Sequence, residues 1–261
     1  MLALEIDQYV ATITMDRPAK KNAFSLDGWA GLARCVDAVA SSRARVLIIR
    51  SAVPDIFTAG SDLADMAAFH EDLPGCETFL GQMRAAFECL AGLSIPTIAA
   101  VDAGCYGAGV ALILACDVTI AGAGARFAIT PAKLGLIYPR GDVARLVATV
   151  GAAQAVRLLA SGIAIDAEEA VRCGLAQQLA GDAGAAALAL ASAMADNAPT
   201  SVQALKAMVR RPGDFTLEVL DRCFVARLAT DTFAEGVSAF RERRKPQFDE
   251  DVAGLPRTTD R

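Results

Sequence analysis

Apolar and polar positions follow two different periods along this chain. Residues 2–15 alternate as two short strands around a turn at residues 7–8, a pattern that predicts a hairpin at the start. Residues 25–40 carry apolar side chains at helical spacing, and residues 45–52 form a short apolar run typical of a buried strand. The chain therefore begins as a hairpin, a helix and an internal strand.

The same alternation of helices and strands recurs in the middle of the chain. The pattern predicts a helix near 77–92, a strand at 97–104, a helix at 108–115 and a strand at 117–122. Strands that alternate with helices are typical of an α/β fold.

From Asp142 onward the pattern is almost entirely helical. One strand-like segment interrupts it at 175–180, before an Ala-rich helix that runs to Ala195. We therefore predict an α/β core at residues 1–195 and a helical region at residues 196–261.

The C-terminal region contains its own helix signals. Residues 197–200 resemble a helix start, and Pro212 and Gly213 separate one helix from a long second helix that we expect to run to roughly Arg244.

Composition and charge narrow the classes of function. The 261 residues are 54% hydrophobic, enough for a sizeable core, and the net charge is −5. Because the basic residues are scattered apart from 241–245, no surface suits a polynucleotide backbone. We expect no nucleic-acid partner.

Nothing in the sequence predicts export or membrane insertion. The N-terminus has acids where a signal peptide needs basic residues, and the apolar run at 110–121 is interrupted by Asp117. The seven cysteines include no CxxC pair, which favours reduced thiols without a disulfide or a metal site. We expect a cytoplasmic protein with no membrane partner.

Two Gly-rich turns are the first candidates for chemistry. FTAGSDL at 57–63 and GCYGAGVAL at 104–112 each lead from a predicted strand into a helix. Two such turns can aim two N–H groups at one oxygen, which is the geometry of an oxyanion hole. Each turn alone is also a common packing device.

Longer motifs in the same order resemble one family. ITMDRPAKKNAFS at 13–25, FTAGSDL, the run at 99–136 and EGVSAFRERRKPQF at 235–248 are similar to the crotonase superfamily, the enoyl-CoA hydratase/isomerase group. The resemblance implies a spiral of ββα units followed by a helical trimerisation region, and an assembly as a homotrimer or homohexamer. Its substrates are coenzyme A thioesters, with no further cofactor.

The resemblance also implies site residues. It places the thioester oxygen between the N–H groups of Ser61 and Ala108, where Ala108 replaces the family's common Gly. It places coenzyme A along Lys21, Ala23, Ala59, Gly60, Asp62, Leu63 and Gly107. Lys20, Lys21 or the cluster at 241–245 is expected to meet its phosphates, unless these charges only form a solvated surface.

The family's acid residues are missing from this chain. The two glutamates of the hydratases fall on Ala111 and Pro131, and an isomerase acid falls near Pro139. None of these side chains can transfer a proton.

The segment TPAKLGLIYPRGD at 130–142 supplies the remaining polar groups. Its TPA…LG…Y pattern is similar to methylmalonyl-CoA decarboxylases, so Tyr138 is expected to orient a substrate carboxylate and Arg140 to bind it, while Asp142 is a possible base. The alternative is a surface ion pair between Arg140 and Asp142 that caps the following helix.

These residues favour an isomerase or a decarboxylase-like lyase over a two-glutamate hydratase. Hydration through Asp142 and coenzyme A binding without turnover remain alternatives. The single histidine, His70, is interpreted as a surface or lid residue, and Cys105 as a packed thiol.

Overall fold

A six-stranded sheet organises the larger part of the fold. The computed structural model describes residues 1–248. Its first sheet contains β1 (Leu2–Asp7), β2 (Val10–Met15), β3 (Val46–Ser51), β5 (Thr97–Val101), β7 (Val118–Gly122) and β10 (Gln178–Ala180), in the order β1-β2-β3-β5-β7-β10. The β1–β2 hairpin is antiparallel and the other pairs are parallel.

A second, four-stranded sheet lies beside it. It contains β4 (Ile56–Thr58), β6 (Gly104–Tyr106), β8 (Arg126–Ala128) and β9 (Ile165–Asp166), in that order. The chain passes from β3 to β4, from β5 to β6 and from β7 to β8, so each step moves from the first sheet to the second. This strand–strand–helix repeat confirms the predicted α/β spiral.

Helices fill the connections and the C-terminal part. They are α1 (Leu26–Ala40), α2 (Leu63–Ala68), α3 (Leu73–Gly92), α4 (Ala108–Ala115), α5 (Arg140–Val150), α6 (Ala152–Ser161), α7 (Ala167–Arg172), α8 (Ala183–Ala195), α9 (Pro199–Arg210), α10 (Leu217–Arg227) and α11 (Asp231–Glu242). No helix within residues 1–248 is long and apolar enough to cross a membrane.

The core lies on both faces of the first sheet. On one face, Trp29 of α1 stacks on Phe24 with ring centroids 4.2 Å apart and meets the edge of Phe87 of α3 at 5.1 Å. On the other face, α8 places buried alanines four residues apart, at 183, 187, 191 and 195, against the strands. Small side chains at this spacing let the helix lie close to the sheet.

Two predicted elements are wrong in their extent. The strand expected at 97–104 is divided into β5 and β6, which belong to different sheets. The long helix expected to reach Arg244 is broken, because Thr230 accepts a hydrogen bond from the N–H of Phe233 at 3.2 Å and starts a new helix. The proposed boundary near 196 stays a prediction, and residues 249–261 of that region lie outside the described residues.

An ion cluster joins the C-terminal region to the core. The carboxylate of Asp117, at the start of β7, lies 2.6 Å from Nζ of Lys206 and 2.7 Å from Nε of Arg210, both on α9. The N–H and hydroxyl of Thr97 also donate to this carboxylate. The beginnings of strands β5 and β7 are thereby connected to α9.

Candidate active site

The two Gly-rich turns touch each other in the fold. Gly60 and Gly107 have φ angles of 90° and 55°, in the left-handed region that favours glycine. A Cβ atom at Gly60 would lie 2.7 Å from the carbonyl oxygen of Tyr106 and 2.9 Å from the nitrogen of Ala108. Glycine at position 60 is therefore required both by conformation and by the close approach of the second turn.

The N–H groups of Ser61 and Ala108 are left available by the surrounding hydrogen bonds. Phe24 donates to the Gly60 carbonyl at 2.7 Å, and Asp62 donates to the Phe24 carbonyl at 2.8 Å, which fixes the chain on both sides of Ser61. Ala108 is the first residue of α4. Neither N–H donates a hydrogen bond to any residue in the described part of the chain. Both N–H groups can donate a hydrogen bond to a ligand oxygen.

The segment expected to follow coenzyme A is attached to the first turn. The N–H of Ala59 donates to the Lys21 carbonyl at 3.0 Å, and the buried Asn22 side chain donates to Ser51 and to the Phe57 carbonyl. Ala23 is buried beside them. The structure therefore brings residues 21–24 and 59–62 together, as the resemblance implies.

The carboxylate of Asp62 is held by groups of the protein itself. Its carboxylate accepts from the N–H of Ala64 at the start of α2 and lies 3.2 Å from Arg17 and 3.6 Å from Lys20. Burial works against its ionisation, but the Ala64 N–H and the charges of Lys20 and Arg17 outweigh it and lower the pKa of Asp62. Asp62 does not line the cavity described below, so its side chain positions the turn.

The cations proposed for the phosphates divide into two groups. Lys20 is engaged by Asp62, and Arg244 of the 241–245 cluster pairs with Glu235 at 2.6 Å. Lys21 is exposed and makes no ion pair within residues 1–248. Lys21 is therefore the lysine of the 20–21 pair that is free to meet an anion.

A cavity of about 270 Å³ opens beside the two turns. Ala59, Ser61, Leu63, Gly107 and Ala108 line one side of it. Apolar side chains form much of the remainder: Met66, Phe69, Phe79, Leu80, Met83, Leu134, Leu136 and Ile137. Ile137 is 93% exposed at the surface, although it belongs to this apolar lining.

The three positions that lack the family's acids all line this cavity. Ala111, Pro131 and Pro139 are among its lining residues. The side chains that replace the acids therefore face the site, and they offer it no titratable group.

Tyr138 is buried and its hydroxyl has a partner. The hydroxyl donates to the Gly107 carbonyl at 2.9 Å, and the residue is 9% exposed. Burial and the nearby Asp142 raise the pKa of Tyr138 well above its ordinary value, so it stays protonated. The expectation that Tyr138 orients a substrate carboxylate is thus not supported by its geometry, because the hydroxyl hydrogen is used within the protein.

Arg140 lies outside the site. It is the exposed first residue of α5 and does not line the cavity. The expected ion pair between Arg140 and Asp142 is wrong: Nη1 of Arg145 is 3.1 Å from Oδ1 of Asp142 instead. Residues three apart meet on a helix surface, whereas residues two apart do not.

Asp142 is the carboxylate of the site. It is 4% exposed and lines the cavity, and Arg145 reaches it from the next turn of α5. Burial raises the pKa of Asp142 above its ordinary value of 3.8, although Arg145 works in the other direction. The same arginine holds Glu88 of α3 at 2.6 Å. The sequence interpretation missed Arg145; the three-residue spacing to Asp142 was the available signal.

The two other residues considered for chemistry, His70 and Cys105, do not line the cavity. His70 has a side chain that is 87% exposed, which confirms its interpretation as a surface residue. Cys105 is fully buried, and burial raises the pKa of its thiol. All seven cysteines are free, as expected.

Comparisons with known proteins connect this geometry to a family. A family model described as enoyl-CoA hydratase/isomerase matches residues 5–251. The rat mitochondrial methylglutaconyl-CoA hydratase is 32% identical over 255 residues, which cover 94% of this chain and 80% of that protein. The 2,3-dehydroadipyl-CoA hydratase of Escherichia coli K12 is 32% identical over 253 residues, 95% of this chain and 98% of that protein.

Solved structures agree with the sequence relatives. An enoyl-CoA hydratase/carnithine racemase from Magnetospirillum magneticum has a TM-score of 0.90 at 28% identity and covers 96% of both chains. An enoyl-CoA hydratase from Bacillus anthracis has a TM-score of 0.89 at 26% identity, with 96% of this chain and 99% of that chain covered.

Proposed function

Because this chain belongs to the enoyl-CoA hydratase/isomerase family, we propose that it is an enzyme that binds an acyl-CoA thioester and stabilises its enolate. The thioester oxygen accepts hydrogen bonds from the N–H groups of Ser61 and Ala108. Each donor aimed at a developing oxyanion contributes about 3 kcal/mol to the transition state. The contact between the two turns and the free N–H groups support this role.

The single observation that carries the reaction type is the isolation of Asp142. Within residues 1–248, Asp142 is the only carboxylate that lines the cavity. One base is sufficient to move a double bond: its carboxylate removes a proton from C2 of a 3-enoyl-CoA, and the electrons move to the thioester oxygen. The carboxyl group then returns the proton to C4 as the 2-enoyl thioester forms. We therefore favour isomerisation.

Decarboxylation is less well supported by the side chains. A malonyl-type substrate presents a carboxylate, but Tyr138 donates to Gly107 and Arg140 is exposed outside the cavity. Hydration is the second candidate, because the two relatives described above are named hydratases. In that reaction Asp142 alone would have to activate the water and return the proton.

The acyl group is proposed to be apolar. Among the described residues, no lysine, arginine or histidine lines the cavity. A terminal carboxylate on the acyl chain would be buried without a partner, at a cost of several kcal/mol. Leu134, Leu136 and Ile137 instead offer an apolar surface at the rim.

A substrate panel separates these reactions. The purified protein is incubated with 3-enoyl-CoA, 2-enoyl-CoA, methylmalonyl-CoA and an acyl-CoA that carries a terminal carboxylate. Ultraviolet absorbance of the conjugated thioester and release of CO2 are measured. We expect an increase in absorbance with the apolar 3-enoyl-CoA. Faster hydration of 2-enoyl-CoA would identify the protein as a hydratase, and release of CO2 would identify it as a decarboxylase. Binding without turnover would refute an enzymatic function.

A further inference from the structure

Asp142 lines both the active-site cavity and a second, much smaller chamber. The chamber has a volume of about 30 Å³ and is closed by α3 and the start of α5. Its charged lining residues are Arg84, Glu88, Asp142 and Arg145. Asp142 is therefore shared between an apolar cavity and a cluster of charges.

The Arg145 guanidinium bridges two carboxylates in this cluster. Nη1 lies 3.1 Å from Oδ1 of Asp142, and Nη2 lies 2.6 Å from Oε1 of Glu88. The Arg145 and Asp142 side chains are 19% and 5% exposed, so solvent screens this pair less than at an open surface, whereas the Glu88 side chain is 59% exposed. The planar fork of arginine fixes the direction of both bonds.

The two oxygens of Asp142 consequently differ. Oδ1 is held by Arg145, whereas Oδ2 accepts no hydrogen bond from any residue of the described chain. Because Asp142 also lines the cavity, Oδ2 is the oxygen that remains for a substrate.

We propose that Arg145 is a positioning residue, which holds Oδ1 of Asp142 so that Oδ2 is presented to the substrate, and that Glu88 anchors Arg145 from α3. The inference rests on the proposed function in one respect, the role of Asp142 in proton transfer. A carboxylate fixed through one oxygen loses little orientation entropy in the reaction, and small displacements of a base cost about 100-fold in rate.

The charged groups around Asp142 predict the direction in which each substitution shifts the pKa of Asp142. Burial disfavours the carboxylate, Arg145 and Arg84 favour it, and Glu88 disfavours it. The Tyr138 phenol beside it stays protonated and carries no charge. Removing Arg145 must therefore raise the pKa of Asp142, whereas neutralising Glu88 must lower it. A role in fold stability alone would give no such opposite pair.

The test measures the carboxyl group directly and independently of the reaction. The carbon-13 signal of the Asp142 carboxyl group, assigned by its loss in Asp142→Asn, is titrated in the wild type, Arg145→Met and Glu88→Gln proteins. We expect the midpoint to rise by about one pH unit in Arg145→Met and to fall in Glu88→Gln. Arg157→Met, which removes an arginine paired with Glu169 on the surface, is the matched control and leaves the midpoint unchanged.

Kinetics with the substrate found by the panel complete the test. We expect kcat of Arg145→Met to fall about 10- to 100-fold with KM changed less than about threefold, and Arg145→Lys to recover part of the loss. Equal midpoints in Arg145→Met, Glu88→Gln and the wild type would overturn the inference. If the midpoints move but Asp142→Asn keeps full turnover, the inferred contacts stand and the proposed role of Asp142 fails.

Discussion

The hydroxyl of Tyr138 donates a hydrogen bond to the carbonyl oxygen of Gly107 at 2.9 Å. Gly107 immediately precedes Ala108, whose N–H is one of the two donors proposed for the thioester oxygen. Tyr138 therefore supports the oxyanion turn from the loop that closes the cavity, and its contribution to the site passes through the backbone.

Tyr138→Phe removes this hydrogen bond and keeps the ring. A hydrogen bond of this kind contributes about 1 kcal/mol, so we expect turnover to fall about fivefold while KM changes little. Steady-state kinetics measure both values. Tyr106→Phe is the matched control, because the Tyr106 hydroxyl makes no hydrogen bond within residues 1–248. Equal turnover in the two variants would show that the Gly107 contact does not matter for the reaction.

Ala108→Pro removes one proposed donor with little change to the fold. Ala108 is the first residue of α4, and proline is well tolerated at this position of a helix because the N–H has no intrahelical partner. We expect kcat to fall about 100- to 1,000-fold. Ala108→Gly retains the N–H and should stay within about threefold of the wild type. Circular dichroism verifies that both variants are folded. A fully active proline variant would refute the proposed oxyanion hole.

Asp142→Asn keeps the shape of the side chain and removes the base. Turnover should fall at least about 100-fold, while the binding of a substrate analogue, measured by calorimetry, is nearly unchanged. In the wild type, the ionised carboxylate is the active form, so activity should fall as pH decreases through the pKa of Asp142. Because burial raises that pKa, the midpoint lies above 3.8. A pH–rate profile with its acid limb below 3.8 would contradict this assignment.

Asp117→Asn should destabilise the attachment of α9. Burial opposes ionisation of Asp117, but Lys206 and Arg210 outweigh it and lower the pKa, so the folded state binds the proton more weakly than the unfolded chain. This stabilisation is present above 3.8 and is lost as pH falls through the folded-state pKa. We expect a loss of about 2–4 kcal/mol at neutral pH, since the buried Lys206 loses its counterion and keeps only its hydrogen bond to the Ile95 carbonyl.

Urea unfolding at several pH values checks this loss. The difference between the wild type and Asp117→Asn should shrink in acid. Asp196→Asn, which removes a more exposed pair with Lys245 at 2.6 Å, is the control and should cost less than about 1 kcal/mol. A difference that grows in acid would contradict the sign of the Asp117 effect.

The C-terminal helices are predicted to assemble with copies of the same chain. Their apolar side chains are open in the monomer: Val209 is 79% exposed, Leu217 81% and Phe240 85%. Apolar surface of this extent usually marks an interface. Sedimentation equilibrium should give three or six chains, and Phe240→Asp should reduce the assembly because it places a charge where the assembly is expected to cover an apolar ring. A monomeric wild type would refute the trimer implied by the resemblance.

Local patterns were sufficient to predict most elements. The helix at Ala108–Ala115 matches its prediction, and the Ala-rich helix ends at Ala195 as expected, because apolar periodicity depends on neighbours within a few turns. The same rules failed where the local pattern is continuous. An apolar run could not show that β5 and β6 belong to different sheets, since strand pairing is decided by distant partners.

The motifs by themselves predicted which backbone turns would meet a thioester, and they showed which acid positions are empty. Only the tertiary structure decided what the polar residues of the 138–142 loop do. Tyr138 turns inward to Gly107, Arg140 remains at the surface, and Asp142 faces the cavity with Arg145 and Glu88 behind it. The reason is physical: a side chain's partner is the group that burial and helix geometry bring within about 3 Å, and Glu88 reaches Arg145 from another helix, 57 residues away in sequence.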